Sequence, residues 1–132
     1  MSKKTHVVDT SVILRWLTRD HETCYVKAAA FWLDVREGRC TAFIPEAILL
    51  ECLVILAKSY SVPRIEAVQQ IEAILAMKHV VVDSRTEVLA ALHLMAAHPI
   101  SFADALVIAY SDAKSAVIES FDQDLLKAAK RR

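Results

Sequence analysis

Four acids stand where apolar neighbours make charge unwelcome: Asp9, Glu51, Asp104 and Asp122. Their surroundings read His-Val-Val-Asp9-Thr-Ser-Val-Ile-Leu, Ala-Ile-Leu-Leu-Glu51-Cys-Leu-Val-Ile-Leu, Ser-Phe-Ala-Asp104-Ala-Leu-Val-Ile-Ala and Val-Ile-Glu-Ser-Phe-Asp122. Taking a lone carboxylate out of water costs several kcal/mol unless it is paired. Four such placements point to charges gathered around a cation. Carboxylates are hard oxygen ligands suited to Mg²⁺ or Mn²⁺. A bound metal pair activates water and stabilises the leaving oxygen of a phosphodiester. The chemistry implied is metal-dependent phosphodiester hydrolysis.

Neighbouring residues suit the same chemistry. The hydroxyls of Ser11 and Ser120 can hold a ligand carboxylate or a metal-bound water in place. Arg15, one helical turn beyond Ser11, can reach a phosphate oxygen. Asp124 is a second acid beside Asp122. Each acid also has a plainer role. Asp9 suits a helix N-terminus, Ser101-x-x-Asp104 has capping-box spacing, and Asp122 can be an N-cap. Glu51 has no capping role, and its plain alternative is an ion pair. The metal reading accounts for all four at once.

The elements that must position these residues alternate. Residues 6–9, 41–44, 79–83 and 116–119 are short apolar runs expected as strands. Thr10 or Ser11 can cap a helix starting near Val12, and Gly38 suits the end of a helix over 22–37. Pro45 suits the first turn of a helix reaching Tyr60. Ile65, Val68, Ile71 and Leu75 mark an amphipathic helix. Further helices are expected over 85–97, 101–114 and 123–130. Strands alternating with helices imply a single α/β domain over 1–132. It would be a three-layer sandwich with a short parallel sheet, of four strands or five, flanked by helices on both faces. Ligands bind such sheets at the carboxyl ends of the strands, where all four acids would face one crevice.

The composition narrows the function classes. Apolar residues make up 55% of 132, above the usual roughly 45–50%, so a sizeable core can form. There is one Gly and no Gly-rich phosphate loop. Sixteen basic residues balance sixteen acidic ones, so any nucleic-acid contact is a local patch. Lys3, Lys4, Arg15 and Arg19 supply one candidate, and Lys127, Lys130, Arg131 and Arg132 another. Three cysteines without C-x-x-C spacing fit a reduced, cytoplasmic protein. The longest apolar run, Ala47–Ala57, is too short to span a bilayer. His6, His21, His79, His93 and His98 lack zinc-site spacing. Trp16, Trp32, Phe31 and Phe43 read as core rather than as base-stacking platforms.

At motif level the chain resembles the PIN-domain family, and within it VapC-type toxins of bacterial toxin–antitoxin pairs. The first motif is Val8-Asp9-Thr10-Ser11-Val12-Ile13-Leu14-Arg15-Trp16-Leu17, with Ser11 where Asn is frequent. Pro45 through Glu51-Cys-Leu resembles the second motif, and Phe102-Ala103-Asp104-Ala105-Leu106 the third. Ser120-Phe121-Asp122-Gln123-Asp124-Leu125 resembles the fourth, with Ser120 where Thr is commoner. The motifs span the chain in order. The Gly that usually follows the third-motif helix is absent from Ala113-Lys114-Ser115-Ala116.

The resemblance implies an endoribonuclease that uses Mg²⁺ or Mn²⁺. Asp9 and Asp104 would be the firmest ligands, completed by Glu51 and Asp122. It also implies a homodimer and a cognate antitoxin that covers the active site. A noncatalytic PIN-fold module that binds RNA or protein is the alternative. A receiver-type phosphoacceptor needs an acidic pair near the first strand, which Lys3-Lys4-Thr5-His6 does not offer. A haloacid-dehalogenase-like phosphatase needs Asp-x-Asp, which Asp9-Thr-Ser11 does not supply.

Overall fold

The computed structural model describes residues 3–131. Arg132, the last member of the basic C-terminal group, lies outside them. The chain divides into two compact units, Met1–Asp83 and Ser84–Arg132.

The first unit carries the sheet. Its order is β1 (Lys4–Val7), α1 (Thr10–Thr18), α2 (Glu22–Arg36), β2 (Cys40–Phe43), α3 (Glu46–Ser59), α4 (Arg64–Leu75) and β3 (Val80–Val81). The strands pair in parallel in the order β1-β2-β3. Lys4 pairs with Cys40 and Val7 with Phe43, while Ala42 pairs with Val80. Parallel neighbours need crossovers, and α1 with α2 supply the first. Gly38 turns the chain from α2 into β2 with φ at 76°. A Cβ there would sit 3.0 Å from His79 Nε2, so the turn favours glycine twice over. Ile13, Trp32, Val35, Ala42, Ile44, Leu49, Leu56, Ile71 and Leu75 are buried.

The second unit is helical: α5 (Arg85–Ala97), α6 (Phe102–Lys114) and α7 (Gln123–Arg131). Helix α5 packs on α6. Ile108 of α6 and Leu125, Ala128 and Ala129 of α7 form a buried cluster, flanked by Leu94, Ile100 and Ile118.

Three strand expectations need correction. The first strand ends at Val7, because Asp9 leaves the ladder to cap α1. The third shrinks to Val80–Val81, since Asp83 and Ser84 begin the turn into α5. The run 116–119 forms no strand, so the sheet among the described residues has three strands rather than four or five. Its backbone is held by the end of α6 instead. Ala116 N–H donates to the Ser111 carbonyl, and the Ser111 hydroxyl donates to the Ala116 carbonyl. Val117 is 92% exposed, and only Ile118 joins the cluster beside α7.

Candidate active site

The first unit brings two of the four acids to one cavity. Asp9 follows buried Val8 and precedes buried Thr10, so its own side chain faces outward. It is the N-cap of α1, in extended conformation at φ −98° and ψ 176°. Its Oδ1 accepts from Ser11 N–H at 3.0 Å and from the Ser11 hydroxyl at 2.7 Å. The Ser11 hydroxyl is the largest influence lowering the Asp9 pKa, with partial burial opposing it. Ser11 thus favours the ionised carboxylate that a cation needs. The N-cap is Asp9 rather than the expected Thr10 or Ser11.

Glu51 arrives from α3. Leu49, Cys52, Leu53 and Leu56 turn inward, and Glu51 is left on the exposed side. A cavity of about 410 Å³ has Asp9, Thr10, Ser11, Arg15, Glu51 and Tyr60 in its wall, with Leu14 and Ile48. The Thr10 hydroxyl oxygen is buried beneath the surface without a hydrogen-bond partner. Behind the cavity, burial is the main cause pushing the Cys52 thiol up to about 12, and the charges of Glu51 and Asp9 add to it. Both acids therefore act on one buried thiol. Because the thiolate is the nucleophile, Cys52 should resist alkylation in the folded protein. With iodoacetamide at pH 8, the half-buried Cys24 is expected to react first and Cys52 only on unfolding. Labelling of Cys52 at the Cys24 rate would contradict this placement.

At the rim of the cavity lies an ordered polar network. Asp20 Oδ1 accepts from Arg15 Nη1 at 3.0 Å and from the Thr18 hydroxyl at 2.9 Å. Asp20 Oδ2 accepts from the Tyr60 hydroxyl at 2.6 Å. These bonds, that from Tyr60 first, hold the Asp20 carboxyl at about 2. Asp20, Tyr60 and Thr10 were not among the residues expected from sequence. Tyr60 closes α3 before the Ser61-Val62-Pro63 break, and no local pattern marks it. Asp20 meets it from 40 positions away.

The second unit carries the other two acids, Asp104 in the first turn of α6 and Asp122 just before α7. Ser101 caps α6, its hydroxyl accepting the Asp104 N–H at 3.1 Å. Asp122 Oδ1 accepts the N–H groups of Asp124 and Leu125 at 2.9 and 3.1 Å. The Ser120 hydroxyl accepts the Asp122 N–H at 2.9 Å. The plain capping role is therefore real for Asp122, whereas at α6 the cap is Ser101 and Asp104 contributes its backbone N–H.

The expected burial of the acids is corrected. Asp9, Glu51 and Asp122 are exposed and Asp104 is half-buried. Around Asp9, Glu51 and Asp104 apolar neighbours fill the core while the acids turn outward; beside Asp122, Phe121 and Val117 are themselves exposed. Among the described residues, no group of three or more His, Cys, Asp or Glu side chains is gathered as a metal ion would need. The acidic pair still fits Mg²⁺, which is commonly bound through one or two carboxylates, with waters and substrate phosphates.

The sequence model of the PIN domain matches residues 6–131. No curated protein and no solved structure matches the chain. Among the described residues no helix is long and apolar enough to cross a membrane.

Proposed function

Since the chain belongs to the PIN-domain family, a nuclease-type module, we propose that it is a Mg²⁺- or Mn²⁺-dependent endoribonuclease of the VapC toxin type. The observation that carries this reading is the cavity shared by Asp9, Glu51, Thr10 and Arg15. It sets an acidic pair beside an arginine, the residue types that hold a cation and a phosphate together. The motif resemblance adds Asp104 and Asp122 to the proposed ligands, with Ser120 and Asp124 beside Asp122. Asp9 and Asp104 are the principal ligands.

The divalent ion, when bound, lowers the pKa of water and neutralises charge building on the phosphodiester. The side chains do the rest. Ser11 keeps Asp9 ionised and oriented. Glu51 adds a second negative oxygen group, and Arg15 binds a non-bridging phosphate oxygen. Water attacks phosphorus in line, and the 3′-oxygen leaves. The downstream fragment then carries a 5′-phosphate, readable by its acceptance in ligation. Fragments ending in 2′,3′-cyclic phosphate would instead identify the 2′-hydroxyl as nucleophile and overturn this route.

The protein works in the cytoplasm as a homodimer and is neutralised by a cognate antitoxin laid over the cavity. Single-stranded or loop RNA is the substrate class, because its phosphates and bases are accessible. A noncatalytic RNA- or protein-binding module is the second reading. It is favoured by the capping bonds that already occupy Asp122 and orient the turn bearing Asp104. Metal binding separates the two. At a hundredfold excess over Kd, Mn²⁺ should stabilise the fold by about 2.7 kcal/mol, seen as a rise of several degrees in melting temperature. A melting temperature indifferent to millimolar Mn²⁺ and Mg²⁺ would favour the noncatalytic module.

A further inference from the structure

Arg15 shares a cavity wall with Asp9 and Glu51. A guanidinium in that position is a natural partner for either carboxylate. Such a pair would occupy the oxygens a cation needs and cancel the charge that attracts it. Among the described residues, however, the one ion pair of Arg15 is with Asp20, at 3.0 Å. Asp20 is itself fixed from two further directions, by the Thr18 hydroxyl and the Tyr60 hydroxyl. The single Thr18 hydroxyl proton is shared between Asp20 and the Leu14 carbonyl, 2.7 Å away, which ties the end of the network to α1. Tyr60 ties it to the end of α3, the helix that carries Glu51.

We propose that Asp20, fixed by Thr18 and Tyr60, holds Arg15 off Asp9 and Glu51, so that the acidic pair stays free for a divalent cation while Arg15 keeps donors for an RNA phosphate. This rests on the ribonuclease reading and adds residues to it: Asp20, Thr18 and Tyr60 are positioning residues. Opposite charges within one cavity are thereby kept apart until metal and phosphate arrive. Arg15 has five N–H donors in a planar fork, and the bond to Asp20 uses Nη1. The network adds no net charge, since Asp20 balances Arg15. Its effect is placement.

The test is Mn²⁺ titration of the full chain without RNA, followed by calorimetry. Asp20→Asn keeps the shape and hydrogen-bonding capacity of the side chain but releases the guanidinium from its ion pair. It is expected to weaken Mn²⁺ affinity about tenfold, within the range seen when outer partners of metal ligands are changed. Asp20→Asn combined with Arg15→Ala is expected to restore affinity to near the wild-type value, because the competing cation is gone. A purely structural role for Asp20 would not be rescued by deleting its partner. Tyr60→Phe, which keeps every charge, should move affinity in the same direction by a smaller factor and serves if Asp20→Asn fails to fold. Unchanged affinity in Asp20→Asn, or a double variant as weak as the single one, overturns the proposal and leaves the ribonuclease reading standing. Wild-type protein that binds no Mn²⁺ sinks that reading and the proposal with it.

Discussion

Trp32→Ala is expected to cost about 3–5 kcal/mol, the range for removing a buried aromatic side chain. In a chain this size that lowers the melting temperature by about 10–20 °C. Trp32 is 1% exposed. Its ring stacks on Trp16 at 4.9 Å and meets Phe31 edge-on at 5.2 Å. Its Nε1–H donates to the Val12 carbonyl at 3.2 Å. Deleting it leaves a cavity and removes the indole bond to Val12, and both effects fall on α1. Because Asp9 caps α1, the loss should reach the acidic cavity as well as the core. Trp32→Phe, which keeps most of the volume and loses the donor, should fall between. Thermal melts decide this, and a shift of only a few degrees for Trp32→Ala would show that α2 does not anchor α1 through this residue.

The other large effect is on catalysis. Asp9→Asn is expected to lower metal-dependent RNA cleavage by at least about a hundredfold, since even outer-shell partners of metal ligands are worth 10–100-fold. The amide oxygen can still accept from Ser11 N–H and hydroxyl, so the cap survives while the charge is lost. The melting temperature without metal should therefore stay close to wild type. Glu51→Gln is expected to behave alike, because its exposed carboxylate supports no cap of α3. The pairing of lost cleavage with retained fold is the informative result. Rates within a factor of a few of wild type would remove these two residues from the reaction.

Much of the first unit was legible because its cues were strong and local. Pro45 placed the start of α3 and Gly38 the end of α2, each through its own backbone restriction. Asp9 and Glu51 stood out as charges within apolar runs, although the inference that they are buried did not hold. A charge inside an apolar segment can sit on the one side of the helix that faces water, and composition alone does not distinguish the two. The run 116–119 was misread because β-branched residues suggest a strand, whereas a ladder needs a partner. There the chain satisfies its backbone against Ser111 at the end of α6. The Arg15–Asp20–Tyr60 network could not be read at all. It joins residues from different elements, and its sense lies in the geometry at Asp20, not in any spacing. Asp104 and Asp122 remain dual. The Asp122 capping bonds use Oδ1, and the Asp104 bond to Ser101 uses its backbone N–H.

The most direct test of the ribonuclease reading is cleavage of a mixed pool of structured RNAs by antitoxin-free protein. Wild type and Asp9→Asn are compared in Mn²⁺ and in EDTA, with cut sites and end groups mapped. Discrete cuts bearing 5′-phosphates, present in Mn²⁺ and absent both in EDTA and with Asp9→Asn, are the expected result. Cuts that persist in EDTA or in Asp9→Asn would contradict it, as would an intact pool alongside a protein that binds no metal.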